Sequence, residues 1–144
     1  MFSTTTLQWL EENDYDKDNI NKVGKHGNSA LMKAVREARS DIAKEILDTN
    51  PDLEITNVDG NTALWNACFG QDYKCVELLV NAGIKLDTKN DNGVTALMYS
   101  ASAGKEDMVE LLLKFKADKT LENLDGFAAI DLAAFPKIYR MLKD

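Results

Sequence analysis

The sequence predicts an all-α repeat array in which each unit is a pair of short helices joined by a turn. Glycine recurs at one interval of 33 residues, at Gly27, Gly60, Gly93 and Gly126, and alanine keeps that interval three positions later in every copy. The segments around these glycines read HGNSALMKAV, DGNTALWNAC, NGVTALMYSA and DGFAAIDLAA, with no insertion between copies. A fixed period of this length is typical of a solenoid of stacked units.

The second copy predicts the elements of one unit in order. Asp59-Gly60 is a tight-turn dipeptide that predicts a projecting finger, and the Thr62 hydroxyl then caps a first helix that Gly70 ends. The apolar stripe of that helix consists of Ala63, Leu64, Ala67 and Cys68. A second helix follows, and its apolar face consists of Val76, Leu78, Leu79 and Val80. Gly83 provides a left-handed residue at its end.

The other copies vary this plan. The third copy repeats it most closely, with Thr95 as the predicted cap. In the first copy Ser29 takes that place and Pro51 stops the second helix. In the fourth copy Pro136 is expected to interrupt the segment between the helices, and residues 137–144 have room for about two helical turns, which suits a terminal cap.

Together these residues resemble the ankyrin repeat family over residues 23–144. The resemblance implies one domain over 1–144: an N-terminal half-unit cap (1–24) with Leu7, Trp9 and Leu10 on its apolar side, repeats 25–57, 58–90 and 91–123, and a C-terminal capping repeat (124–144). One departure concerns the family's Thr-Pro-Leu-His motif. Alanine replaces its proline, and Met32, Trp65, Met98 and Asp131 replace its histidine. Apolar contacts of Met32, Trp65 and Met98 are expected to replace the histidine network.

The composition narrows the classes of partner. The formal charge of −7 disfavours nucleic acid, because phosphate contacts need clustered lysine and arginine. A basic protein partner would be favoured, although surplus acidic residues also simply keep a protein soluble. The sequence contains no run of about 18 apolar residues that could form a membrane helix, and the N-terminus lacks a signal-peptide pattern, so a cytoplasmic protein is expected. The protein is also expected to be a monomer.

Catalytic and cofactor sites are not predicted. His26 is the only histidine, so no catalytic triad or histidine metal cluster is available. It lies in a finger turn and is interpreted as an exposed turn residue, with contact to a partner as the alternative. Gly104-Lys105 resembles the end of a phosphate loop, but Tyr99 stands where that loop requires glycine. Cys68 and Cys75 are interpreted as buried, reduced packing residues. The sequence therefore predicts a non-enzymatic protein without cofactor or metal.

The family resemblance implies that a protein partner contacts the finger tips and the concave face formed by the first helices. The residues predicted to bind it are Asp59, Asn61, Asn66, Phe69, Asp91, Asn92, Val94, Tyr99, Ser102, Asp125 and Phe127. Lys33, Arg36 and Glu37 occupy the same helix face in the first repeat. Aromatic anchors are typical of interface centres, but the alternative role of Trp65, Phe69, Tyr99, Phe127 and Phe135 is packing between repeats.

If this protein binds another protein, its sequence leaves three roles open. Acidic charge and small size favour an inhibitor or immunity protein that covers a basic enzyme or toxin. A secreted or injected effector that binds a host protein and a scaffold subunit of a larger assembly are the alternatives.

Overall fold

A computed structural model describes residues 1–143, and within them the chain folds into nine α-helices without a β-strand. The predicted all-α repeat fold is confirmed. Two compact units are present, residues 1–84 and residues 85–144. The division of the chain into one domain with five segments stays a prediction. Within the described part, each helix is too short or too polar to cross a membrane.

The first unit contains the half-unit cap and two repeats. Its helices are α1 (Thr4–Glu12), α2 (Ala30–Arg36), α3 (Ser40–Leu47), α4 (Ala63–Gly70) and α5 (Tyr73–Asn81). The first helices of the two repeats, α2 and α4, pack on each other. The second helices, α3 and α5, also pack on each other, and α1 packs against α3. The residues at the repeat positions therefore form one continuous core within this unit.

The second unit repeats the arrangement, but the first helix of its last repeat is only four residues long. It contains α6 (Ala96–Ser102), α7 (Glu106–Lys114), α8 (Ala129–Leu132) and α9 (Pro136–Lys143). Here α6 packs on α8 and α7 packs on α9. The expectation for Pro136 is wrong: it is the first residue of α9, where its missing N–H costs nothing and its fixed φ suits a helix start.

The helix starts are capped unevenly. Ser29 and Thr95 each accept a hydrogen bond from the backbone N–H three residues later, at 3.2 Å. Thr62 occupies the same position, but its side chain makes no capping hydrogen bond, so that predicted cap is wrong. At α8 the cap residue is Ala128, and the Asp131 carboxylate accepts from its N–H at 2.9 Å instead.

Left-handed residues end the helices at the same period of 33 positions. They are Ala38, Gln71 and Gly104 after the first helices, and Asn50, Gly83 and Lys116 after the second. Gly70 is the last residue of α4, as predicted, while the left-handed residue that follows is Gln71. Non-glycine residues at four of these six sites show that tertiary packing, more than residue preference, fixes the helix ends.

The core contains the predicted stripe residues. Leu64, Leu97 and Leu112 are each at most 1% exposed, and Met32 and Met98 are equally buried. Cys68 and Cys75 are both buried and outside any disulfide, as predicted. Burial, together with a hydrogen bond to Asp72, raises the pKa of Cys75 far above its ordinary value.

The N-terminal cap is held by polar as well as apolar contacts. Trp9 and Leu10 are buried, but Leu7 is 38% exposed, so its predicted core placement is wrong. The Trp9 ring stacks on Tyr15 with centroids 6.0 Å apart. The Tyr15 hydroxyl donates to the carbonyl oxygen of Asn28, and burial followed by the nearby Glu37 charge raises the pKa of Tyr15 to about 12.

Candidate functional site

The fingers are built by asparagines that recur at the repeat period. The Oδ1 atom of Asn90 accepts hydrogen bonds from the backbone N–H groups of Asn92 and Val94, both at 2.9 Å. Asn57 and Asn123 make the same pair of bonds in their own fingers. In the first finger Gly24 takes this position, and the turn closes through backbone bonds alone. Each of the three later turns is therefore held by the side chain of its own asparagine.

Neighbouring fingers within each unit are joined by the backbone. The Val58 N–H donates to the carbonyl oxygen of His26 at 3.0 Å, and the Leu124 N–H donates to that of Asn92 at 3.1 Å. Gly93 has a φ of +75°, and a Cβ atom there would lie 2.9 Å from the Leu124 nitrogen. Glycine at the finger tip thus serves both the turn and the close approach of the next finger.

The finger tips present their side chains to solvent. The exposed predicted residues are Asp59, Asp91, Asn92, Asp125 and Phe127, with Val94 half-buried. Val58 and Leu124 also lie at the tips and are 66% and 75% exposed. His26 is exposed in the 3₁₀ turn Lys25–Gly27, as predicted. Because the asparagines beneath them hold the turns, the tip side chains are available for contacts with another molecule.

Two predicted surface residues lie inside the protein. Asn61 is 5% exposed and Asn66 is fully buried, so placing them on an accessible surface was wrong. Asn66 donates from Nδ2 to the carbonyl oxygen of Thr62 at 2.9 Å and accepts from Arg36 Nη1 at 3.2 Å. A polar side chain on this helix face is buried because it finds both partners within the unit.

Aromatic rings and one arginine form the centre of the first-helix face in the first unit. Phe69 is 43% exposed, and its ring stacks on half-buried Trp65 with centroids 6.0 Å apart and planes 12° apart. The guanidinium carbon of Arg36 lies 3.9 Å from the centroid of the Phe69 ring. We call Arg36, Trp65 and Phe69 the stacked cluster. Cation–π contact and ring stacking hold its side chains in one orientation.

In the second unit the corresponding face is looser. Tyr99 is half-buried, and the Lys105 Nζ atom lies 5.8 Å from the centroid of its ring. Ser102 is exposed and its hydroxyl donates to the carbonyl oxygen of Tyr99. Phe135 is 52% exposed, although its ring closely approaches Gly104. These residues combine an exposed aromatic surface with partial packing, and their role in binding a partner stays a prediction.

The acidic charge is concentrated in the first unit. Residues 1–84 contain 8 lysines and arginines against 14 acidic residues, a formal charge of −6, whereas residues 85–144 contain 9 against 10, a charge of −1. Within the described part of the chain, the acidic, cysteine and histidine side chains form no cluster able to hold a metal ion. The features that distinguish the candidate surface are its acidic charge and its aromatic side chains.

Sequence reasoning missed two parts of this arrangement. The asparagines that hold the fingers recur at the period of the glycines, so their signal was present in the alignment of the copies. The stack of Arg36 on Phe69 joins residues 33 positions apart, which is again the repeat period. Equivalent positions in successive repeats lie side by side, so pairs at this spacing identify side-chain contacts between neighbouring repeats.

Comparison with known proteins agrees with this architecture. The family model for ankyrin repeats matches residues 3–90 and 85–143. Protein PhlB of Serratia liquefaciens is 32% identical over 119 residues, which are 82% of this chain and 52% of PhlB. An ankyrin repeat protein of fowlpox virus is 35% identical over 105 residues (73% of this chain, 25% of that protein). The neurogenic locus notch homolog protein 1 of Danio rerio is 31% identical over 115 residues (79% and 5%).

The chain thus spans about half or less of the length of these relatives. Ankyrin repeats are generally non-enzymatic modules that bind other proteins. With the period of 33 residues, the paired helices, the linked fingers and the family match in agreement, the chain belongs to the ankyrin repeat family.

Proposed function

We propose that this protein binds a basic protein partner through its finger tips and first-helix faces, and that it acts as an inhibitor or immunity protein by covering the partner's working surface. The stacked cluster is the observation that carries this proposal. An exposed aromatic ring held rigid by its neighbours loses little conformational entropy on binding, and aromatic and arginine side chains supply most of the binding energy at interface centres.

Charge supports the choice of a basic partner. The first unit has a formal charge of −6, and Asp59, Asp91 and Asp125 extend acidic side chains at the finger tips. Complementary charge speeds the encounter of two proteins and suppresses contacts with unsuitable partners. The exposed apolar residues Val58 and Leu124 add contact area beside these acids.

The partner is identified by affinity capture from source lysate and mass spectrometry, and binding is then measured with purified proteins. The double variant Phe69→Ala with Tyr99→Ala should weaken binding by about 2–4 kcal/mol, mainly through faster dissociation. Tyr73→Ala is the matched control, because Tyr73 is 40% exposed but lies on α5, outside the proposed surface. Equal binding by the double variant and the control would contradict the proposal.

The acidic fingers are tested separately. Replacing Asp59, Asp91 and Asp125 by asparagine should lower the association rate and flatten its dependence on salt, because charges at an interface rim mostly steer the encounter. The charge-matched control replaces Glu77 and Glu110 by glutamine and Asp107 by asparagine, all on second helices. If both triple variants change the association rate equally, only net charge matters and the finger tips are not part of the interface.

A further inference from the structure

Arg36 differs from the neighbouring basic side chains because it has no acidic partner among the described residues. Lys33 pairs with Glu37 at 3.0 Å, and Arg39 pairs with Asp41 at 3.0 Å. Arg36 instead lies over the Phe69 ring and donates from Nη1 to Asn66. It is also solvent-exposed. Although this unit has a formal charge of −6, the Arg36 guanidinium forms no ion pair with a carboxylate of the described residues.

The nearest acidic residue in the sequence is engaged elsewhere. Glu37 accepts a hydrogen bond from Trp9 Nε1 on Oε1 at 3.0 Å, and its Oε2 atom pairs with Lys33. Both oxygens of the Glu37 carboxylate therefore already have partners, Trp9 in the N-terminal cap and Lys33 on α2. The structure therefore separates Arg36 from the acid next to it in the chain and orients it by the uncharged partners Phe69 and Asn66.

Asn66 makes this orientation rigid. Its side chain is fully buried, and its Nδ2 atom is fixed on the carbonyl oxygen of Thr62. The Oδ1 atom is thereby turned toward Arg36 Nη1. This bond uses one of the five guanidinium N–H groups, and the Nε–Nη2 edge keeps the two parallel donors that match a carboxylate.

We propose that Arg36 is a binding site for a carboxylate side chain of the protein partner, an aspartate or glutamate seated on the stacked cluster. The inference rests on the proposed function and specifies it: the basic partner carries one acidic residue at the centre of its contact surface. A guanidinium that is already oriented on a ring pays little entropy when it forms a bidentate pair, and the pair is stronger where the aromatic rings exclude water.

The site is tested with a defined probe, the peptide acetyl-Gly-Glu-Gly-amide, in an NMR titration of the whole chain. The Arg36 Nε–H resonance, assigned from its loss in Arg36→Lys, should shift with saturation as the peptide is added. Acetyl-Gly-Gln-Gly-amide should produce no such shift. Affinities measured from backbone amide shifts of α2 and α4 should fall about tenfold in Arg36→Lys and Arg36→Gln, because lysine lacks the planar pair of donors.

One control and one further variant keep the test specific. Lys74→Gln removes the same charge from an exposed position on α5 and should leave the affinity within about twofold of the original. Phe69→Leu removes the ring beneath the guanidinium and should weaken binding several-fold with an unchanged helical circular dichroism signal.

Several outcomes would overturn the inference: an unmoved Arg36 resonance, equal shifts with the glutamine peptide, an equal response to inorganic phosphate, or full affinity in Arg36→Lys. If these occur while the Phe69 and Tyr99 double variant still loses its captured partner, the carboxylate site is wrong and the proposed protein-binding function stands.

Discussion

A Cβ atom added to Gly70 would lie 2.6 Å from the carbonyl oxygen of Arg36 and 2.8 Å from that of Val35. Both contacts are with backbone atoms, which cannot move aside as a flexible side chain can. Glycine at the end of α4 therefore allows this helix to approach the end of α2 closely. The residue before it, Phe69, is brought beneath the Arg36 guanidinium by the same approach.

Gly70→Ala should lower the free energy of unfolding by about 1–3 kcal/mol, because overpacking against backbone exceeds the gain in helix propensity. The reverse change at the equivalent position of the next repeat, Ala103→Gly, is the control. It should cost at most about 1 kcal/mol, through added freedom of the unfolded chain. Urea denaturation measures both, and a stabilising Gly70→Ala would show that the close approach does not limit packing.

The two threonine caps should respond differently to truncation. Thr95→Ala should cost about 1 kcal/mol, because it removes the oxygen that accepts from the Met98 N–H. Thr62→Ala should cost less, since the Thr62 side chain makes no capping bond and both threonines are buried to a similar extent. Denaturation midpoints of the two variants are compared directly. Equal losses would mean that the methyl groups, not the cap, determine the effect.

The N-terminal cap should loosen in acid through Glu45. The Ser3 N–H, followed by the Thr6 and Ser3 hydroxyls, donates to this carboxylate and holds the pKa of Glu45 below its ordinary value. A lowered folded-state pKa stabilises the fold above the ordinary glutamate value of about 4.3, and this stabilisation is lost as the pH falls through the folded-state pKa.

Unfolding measured between pH 6 and pH 3 should therefore show a smaller loss of stability in Glu45→Gln than in the original protein. Glu12→Gln is the control, because Glu12 is an exposed residue of α1 whose carboxylate has a bond to Gln8 but none to a helix start. Identical pH profiles for Glu45→Gln and the original chain would contradict the role of this carboxylate.

Both cysteines should react slowly with a thiol reagent in the native protein and quickly in denaturant. Cys68 and Cys75 are fully buried, which shields both sulfur atoms from a reagent in the native protein. Burial with the Asp72 hydrogen bond also raises the pKa of Cys75, which lowers the fraction of reactive Cys75 thiolate. Single Cys→Ala variants assign the rates to each residue. Native labelling of either thiol at its denatured rate would contradict the buried assignment.

The repeat period predicted the helices of the repeats and most of their core, because each copy samples the same environment. Predictions from the chemistry of single residues were less reliable than those from the period. Thr62 has the residue type of a cap without the bond, and Pro136 starts a helix that it was expected to precede. Both outcomes depend on how neighbouring segments pack, which one-dimensional patterns do not describe.

The candidate surface was predicted in part for the same reason. Residue type and register placed Phe69 and the finger acids on accessible positions, but they also placed Asn66 there. Its burial depends on two partners, Thr62 and Arg36, and the second of these lies one repeat earlier in the chain. A polar residue is buried only when such partners converge, so its location required the three-dimensional arrangement.

The asparagine-held turns separate folding from recognition in the fingers. Asn57, Asn90 and Asn123 supply the bonds that keep the turns closed, whereas the residues beyond them contribute only their backbone to those bonds. Side chains at the tips can then be exchanged at little thermodynamic cost. During evolution toward a new partner, the tip residues can be substituted one at a time while every intermediate sequence still folds. For the same reason, a protein engineer can randomise the tip positions on an unchanged scaffold.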